Sequence, residues 1–309
     1  MACASNHRVS PFPPIESIHD VLPPPNLDAQ LARIDEEAAA NGYTLRVEQR
    51  GTLPDRDEVV IRAYETVDPF GRVAHLVRVA TPVGIVLALG PPDPKLVIPP
   101  ATELVPSLVQ GGWFSGSDLN GDGAPEVVVR DGAGTLSVFR IDRYGATPLR
   151  IELRWPATFA TDVNGDGRPD FAATYRLEDD DPIAPKILDV AIYEDGRYTN
   201  EGEEARAWHA RERDRAALQV EAILEAKKRA QEKAEEEEGE GEGKGEVLGQ
   251  EERIALLRAG IERAFHAMGA GEEAKKVLAE LDRVGKEAGA VPEEVRGAWE
   301  GWRKVLAGR

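Results

Sequence analysis

The chain has 309 residues, with 56 acidic and 38 basic side chains, a formal charge of −18, and 41% apolar against 30% charged residues. That size allows one or two domains with real cores, the charge argues against a nucleic-acid partner, which needs a basic face, and no apolar run nears the roughly 18 residues of a membrane-spanning helix. The single cysteine, Cys3, excludes an intrachain disulfide and a cysteine-built zinc site.

Residues 1–25 are polar and proline-rich, with Pro11, Pro13, Pro14 and the run Pro23 to Pro25, and they read as an extended tether. Cys3 at the head of this tether, with the small Ala2 before it, resembles the lipidated first residue of a mature bacterial lipoprotein. No apolar signal segment precedes it in the sequence, which is where it departs from that pattern. The resemblance implies a lipid anchor at Cys3.

Residues 26–42 read as a short helix. Asn26 or Asp28 can cap it, Leu27, Leu31 and Ile34 share a face, and Gly42 stops it. From Tyr43 the period changes to two. Runs such as EVVIRAYETV, RVAHLVRVA, GIVLAL, EVVVR and ILDVAIYE are β-branched and bounded by Gly, Pro and Asp, with turn signals at DPFG (68–71), DGAG and EDGR. About ten short strands over 43–200, with no helix between them, predict an antiparallel all-β domain.

Residues 201–234 hold neither Pro nor any Gly beyond Gly202 and are rich in Ala, Glu, Lys and Arg, which predicts one long helix with a thin stripe of Trp208, Leu218, Ile223 and Leu224. Residues 235–249 are acidic and glycine-interrupted and read as a flexible linker. Residues 250–309 predict three helices, over 250–268, 271–286 and 292–307, forming a small bundle or hairpin, with Trp299 and Trp302 in its core. The fold class is thus α+β and multidomain: an antiparallel β domain of blade-like units, then an α-helical C-terminal region.

Within the β region, DLNGDGAPEVVV begins at Asp118, and DVNGDGRPDFAA follows at Asp162, 44 residues on. In each, alternate positions carry oxygen ligands: Asp118, Asn120, Asp122 and Glu126 in the first, Asp162, Asn164, Asp166 and Asp170 in the second. The backbone carbonyls of Ala124 and Arg168 fall at position 7. Position 6 is Gly both times, where the chain must turn sharply, and position 8 is Pro. A hard cation such as Ca²⁺ takes six to eight oxygens, and such a loop can supply them. The competing reading is a metal-free Asn-Gly turn, but that needs two special residues rather than oxygens at four alternate positions.

These residues resemble the Asp-x-Asn-x-Asp-Gly calcium loop. Position 12 is Val129 and Ala173, and strands flank both loops, which removes EF-hands and dockerins. The acid at position 9 before an apolar strand, repeated at blade length, resembles the FG-GAP/VCBS-type repeat over about residues 110–200. Glu126 departs from the usual Asp. The resemblance implies blade-like units around two structural calcium ions and, for many members, a secreted or surface role in adhesion or recognition. The length of the β region favours a partial propeller or a compact sheet domain over a closed ring, which needs at least four blades.

The histidines His7, His19, His75, His209 and His266 are scattered and form no recognised ligand pair at helical spacing. GGWFSGS around Ser115 is not a nucleophile elbow and reads as the strand before the first loop, and Asp179, Asp180 and Asp181 read as a solvated turn. The expectation is therefore a non-enzymatic, calcium-stabilised scaffold or recognition protein outside the cytoplasm that binds another protein or an envelope assembly. The alternatives are a polymer hydrolase with an accessory calcium unit, and a cytoplasmic assembly protein using the acidic helices.

Overall fold

The computed structural model describes residues 26–67, 71–90, 103–108, 112–175, 187–237, 248–289 and 291–308. Cys3 with its tether, His7, His19, most of the DPFG turn, Asp179 to Asp181 and residues 238–247 of the acidic linker lie outside them.

The helix α1 (Leu27–Ala40) starts at Asn26, whose side chain accepts the Ala29 N–H at 3.1 Å, so Asn26 rather than Asp28 is the cap. Four strands follow in a meander: β1 (Thr44–Thr52), β2 (Glu58–Val67), β3 (Val73–Thr81) and β4 (Gly84–Leu89), hydrogen-bonded in that order. The second sheet is β5 (Glu103–Leu104), β6 (Glu126–Arg130), β7 (Leu136–Ile141) and β8 (Ala146–Leu149), again in chain order. The third contains β9 (Ile151–Glu152), β10 (Phe159–Thr161), β11 (Asp170–Tyr175), β12 (Ile187–Glu194) and β13 (Arg197–Thr199), in the order β10-β11-β12-β13-β9. Every pairing is antiparallel except β13 with β9, which is parallel over two residues. That pair puts β9 on the far edge of the third sheet directly after β8, so the chain passes from the second sheet into the third without a loop.

The three sheets stack face to face. Because successive strand side chains point to opposite faces, β6 serves both neighbours. Val127 and Val129 pack with Val59, Ile61, Val77 and Val79 of the first sheet. Val128 packs with Phe171, Ala191 and Tyr198 of the third. A strand buried on both faces has no room for alternation, which is why the sequence reads as an unbroken run of valines. Each buried valine is worth on the order of 1.5–3 kcal/mol.

Helices seal the two outer faces. Leu31, Ile34 and Ala38 of α1 cover Val60, Tyr64, Leu76 and Ala80 on the first sheet, and the buried Arg78 fixes the helix through Glu37 at 2.7 Å. On the third sheet Ala172 and Val190 are covered by Trp208. Among the described residues the array is therefore an open stack of three blade-like sheets.

Trp208 belongs to α2 (Glu203–Glu237), a 35-residue helix that runs three residues past the predicted end, through Glu235 to Glu237. Glutamate is a good helix former, and the first glycine stands only at Gly239. The predicted stripe needs correction. Leu218 is 66% exposed, while Ala205, Ala216 and Val220 are buried. Antiparallel to α2 lies α3 (Gln250–Gly269), followed by α4 (Ala274–Glu287) and α5 (Glu293–Ala307). The start of α4 falls three residues after the predicted 271, because Gly271 takes φ +91° and breaks the helical path. Its buried stripe is Val277, Leu281 and Val284. Leu256, Leu257, Ile261, Phe265, Trp302 and Leu306 fill the helical core, together with Trp299. Ile187 of β12 joins that core, and Trp155 stacks on Phe265 at 5.7 Å, fusing the bundle to the third sheet.

Candidate metal centre

The two acidic loops fold alike, and the sequence dictates how. The position-1 carboxylate accepts two backbone N–H groups across the turn. Gly121 and Gly123 donate to Asp118 at 2.7 and 3.0 Å, and Gly165 and Gly167 donate to Asp162 at the same distances. The position-3 Asn accepts the next-but-one N–H: Asp122 N–H donates to Asn120 at 2.9 Å and Asp166 N–H to Asn164 at 3.1 Å. The position-5 Asp does likewise, with Ala124 N–H donating to Asp122 at 2.9 Å and Arg168 N–H to Asp166 at 2.7 Å. The glycines at both position 4 and position 6 have positive φ, between 78° and 89°. A side chain there would strain the turn, so position 4 is as constrained as the position 6 singled out by sequence. Both prolines, Pro125 and Pro169, are buried where the chain enters β6 and β11.

Position 9 returns to the head of each loop. Glu126 and Asp170 sit at the first residue of their strands and are 0% and 3% exposed. Leu119 N–H donates to Glu126 at 2.6 Å and Val163 N–H to Asp170 at 3.0 Å. Burial, with the charges of Asp122 and Asp118 adding, pushes the Glu126 carboxyl up to about 8. Burial likewise raises Asp170 to about 7, with Asp166, Asp162 and Glu204 contributing. A cation placed beside either group would favour its ionised form.

The loops then diverge. In the first, oxygens of Asp118, Asp122 and Glu126 all lie within 4.8 Å of one another. At an effective dielectric of about 20, each such like-charge pair costs about 3 kcal/mol before screening by water. Arg140 of β7 offsets part of this through a 2.7 Å ion pair with Asp122. The Asn120 amide also turns inward, donating to Glu126 at 3.0 Å. In the second loop Asn164 turns outward and donates to Glu204 of α2 at 2.7 Å. Among the described residues, Asp162, Asp166 and Asp170 do not draw together to 4.8 Å. A cleft of about 360 Å³ opens between that loop and α2, lined by Asn164, Asp166, Glu204 and Arg211. The oxygen-only donor set of the first loop is the chemistry a hard divalent cation requires.

The loops also interlock. Arg168, nominated for its carbonyl, sends its side chain across to the first loop, where Nη1 donates to the Asn120 carbonyl at 2.8 Å. The guanidinium lies so close to Gly121 that a Cβ there would meet it at 2.1 Å. In return, the Trp113 indole N–H donates to the Gly167 carbonyl. Ala124, the other carbonyl candidate, is buried. Sequence spacing gave no access to Arg140, Glu204, the Arg168 side chain or Trp113, because each contact spans 18 to 54 residues.

Two expectations need correction. GGWFSGS is not a continuous strand: among its described residues Trp113, Ser115 and Ser117 stand only in isolated bridges. Ser115 is buried and staples backbone, donating to the Val105 carbonyl at 2.7 Å and accepting the Val128 N–H at 3.0 Å. His209 and His266 are not scattered in space, since their Nδ1 atoms lie 2.9 Å apart between α2 and α3.

Stacked blade-like sheets, each of two repeats opening with an acidic turn, define a repeat-domain protein. A family model for the FG-GAP-like repeat matches residues 118–173, from the first carboxylate of the first loop into β11, so this part of the chain is an FG-GAP-like repeat segment. Comparison with curated proteins and with solved structures returned no match. Among the described residues no helix is long and apolar enough to cross a membrane.

Proposed function

We propose that the protein is a non-enzymatic, calcium-stabilised scaffold or recognition protein of the cell envelope or of secreted material, and that it binds another protein. Two structural Ca²⁺ ions are assigned to it. Asp118, Asn120, Asp122, Glu126 and the Ala124 carbonyl hold the first; Asp162, Asn164, Asp166, Asp170 and the Arg168 carbonyl hold the second. The observation that carries this reading is the convergence of Asp118, Asp122 and Glu126 within 4.8 Å around a buried position-9 acid. An ion there would tie the loop to β6, and its binding energy would add to folding stability. The raised carboxyls favour a metal role over a catalytic one, because both are buried and engaged by backbone N–H groups of their own loops. FG-GAP-like repeats are consistent with protein recognition at the face where the two loops meet. Cys3 is proposed as the lipid anchor, testable by mass spectrometry of the native N-terminus.

The deciding experiment is thermal unfolding with EDTA or millimolar Ca²⁺, on the parent and on Asp122→Ala/Asp166→Ala. An ion at 100 times its Kd stabilises by about 2.7 kcal/mol. The parent is expected to gain several degrees in Tm with Ca²⁺ and the double variant none. A parent indifferent to Ca²⁺ sinks the reading, and a gain that survives in the double variant assigns the ions elsewhere.

A further inference from the structure

Away from the loops, α2 and α3 bring a second set of metal-binding groups together. Their cross-helix pairings run in opposite directions. His209 meets His266, and Arg215 meets Glu262 at 3.4 Å. Glu212 follows His209 by three residues, and Glu262 precedes His266 by four. At these spacings each pair shares one face of its helix. Antiparallel packing turns both faces toward each other, so that carboxylate oxygens of Glu212 and Glu262 and a ring nitrogen of His266 all lie within 4.8 Å.

The surroundings are built to hold this arrangement. His266 and His209 are 2% and 1% exposed. Their 2.9 Å Nδ1 contact requires one nitrogen to donate and the other to accept, which sets the tautomers as a pair and fixes the His266 ring. On its other side, His209 Nε2 lies 3.9 Å from the buried Asp189. Asp189 is itself held by Arg154 N–H at 3.0 Å and by the Asn200 amide at 3.2 Å. Trp208 packs edge-on against both imidazoles. Gly269 gives His209 its place, since a Cβ there would fall 2.5 Å from the ring. Arg215 pairs with both carboxylates, at 2.8 Å from Glu212 and 3.4 Å from Glu262, and Arg258 adds a positive charge near Glu262. The Arg215 side chain is 62% exposed and can swing away into water at little cost.

We propose that Glu212, Glu262 and His266 form a binding site for one divalent transition-metal ion of the Zn²⁺ type, with His209 as the residue that positions His266. Imidazole nitrogen with carboxylate oxygen suits borderline ions such as Zn²⁺ or Co²⁺ and disfavours Ca²⁺. Three protein ligands leave further positions for water or a partner's side chain. The site shares no ligand residue with the two acidic loops and differs from them in donor chemistry.

The test uses the full chain in saturating Ca²⁺, titrated with Zn²⁺ by calorimetry and with Co²⁺ by visible absorption. The parent is expected to bind one ion, with Co²⁺ d–d bands in the visible. Glu212→Gln and Glu262→Gln, which preserve side-chain shape on the helix surface, are each expected to weaken binding at least 10-fold while the melting curve stays cooperative. Arg215→Gln is expected to tighten Zn²⁺ binding, since it removes the cation paired with both carboxylates. Asp122→Ala/Asp166→Ala is expected to leave it unchanged. Zn²⁺ binding that is absent in the parent, unaltered by both Glu→Gln variants, or lost in the loop variant overturns the proposal. So does an Arg215→Gln protein that is destabilised and gains nothing from Zn²⁺, because the cluster would then be only an ion-pair network.

Discussion

The two acidic loops begin from nearly the same nine residues and end in different states. The first is closed: Glu126 takes the Leu119 N–H with one oxygen and the Asn120 amide with the other. The second is open: Asp170 takes the Val163 N–H, and Asn164 leaves the loop for Glu204. Besides Leu119 against Val163 and Ala124 against Arg168, the difference, and the only one among the ligand side chains, is one methylene at position 9. The longer acid spans the loop, gathers the Asn and draws three carboxylates together, whereas the shorter one leaves the cavity open toward α2. A departure from the usual Asp therefore tightens the loop that carries it.

The largest expected effect on this contrast is a pH dependence in EDTA. Glu126 and Asp170 start from ordinary values of 4.5 and 3.8 and stand at about 8 and about 7 in the folded chain. A raised carboxyl means that the folded state holds its proton more tightly than the unfolded one. Neither group affects stability while both states are protonated, below about pH 4. Stability is then lost as pH climbs, until Glu126 has titrated near pH 8. The Tm in EDTA should fall steadily from pH 5 to 8, and Glu126→Gln should flatten the part above pH 7, where Asp170 is already charged. A flat profile for the parent would mean that water or local rearrangement relieves the burial.

Next in size is the exchange of the two acids. Glu126→Asp should weaken calcium at the first loop about 10-fold, a change of about 1.4 kcal/mol, and move it toward the second. Asp170→Glu should tighten the second. Calorimetry resolving two classes of site in the parent, and their merging in Glu126→Asp, is the readout; two unchanged classes would place the difference outside position 9.

Arg168→Ala removes the hydrogen bond to the Asn120 carbonyl and should cost about 1 kcal/mol. It should also make the loops respond independently to calcium, read as loss of any coupling between the two binding steps. The smallest effect is expected at Tyr198, a core residue whose hydroxyl has no hydrogen-bond partner among the described residues. Burial, followed by Glu126 and Asp170, raises its pKa, so the phenol stays neutral. Tyr198→Phe removes an unsatisfied group and should stabilise the EDTA form by up to about 1 kcal/mol. Destabilisation would show that the hydroxyl is satisfied in the EDTA form after all.

What the sequence disclosed follows the range of its signals. The loops were legible because the residues at positions 1 to 9 are local, and their N–H acceptors are neighbours in the chain. Arg140, Glu204 and Arg168 were not, because only stacking of the sheets brings β7, α2 and one loop against another. The run EVVVR was legible as a strand, but its burial on both faces, and by which neighbours, was seen only in the fold. At the helices, His209 with Glu212 and Glu262 with His266 were present as i, i+3 and i, i+4 pairs. In a chain with 30% charged residues each pair looks like an ordinary solvated face. Nothing in one dimension says that two such faces meet.

The line of three sheets has a mechanical consequence. In a closed ring each sheet is held from both sides, and breaking one contact still leaves the circle joined by the rest. Among the described residues the sheets form a row sealed by α1 at one end and α2 at the other, so every seam lies in series, and no second path among them bears the strain when one opens. The first sheet with α1 can peel away at the seam of Val127 and Val129 while the third, welded to the bundle through Trp155 and Ile187, stays whole. Heat or force should therefore dismantle the molecule from its N-terminal side, with the interlocked loops marking the seam that must yield last.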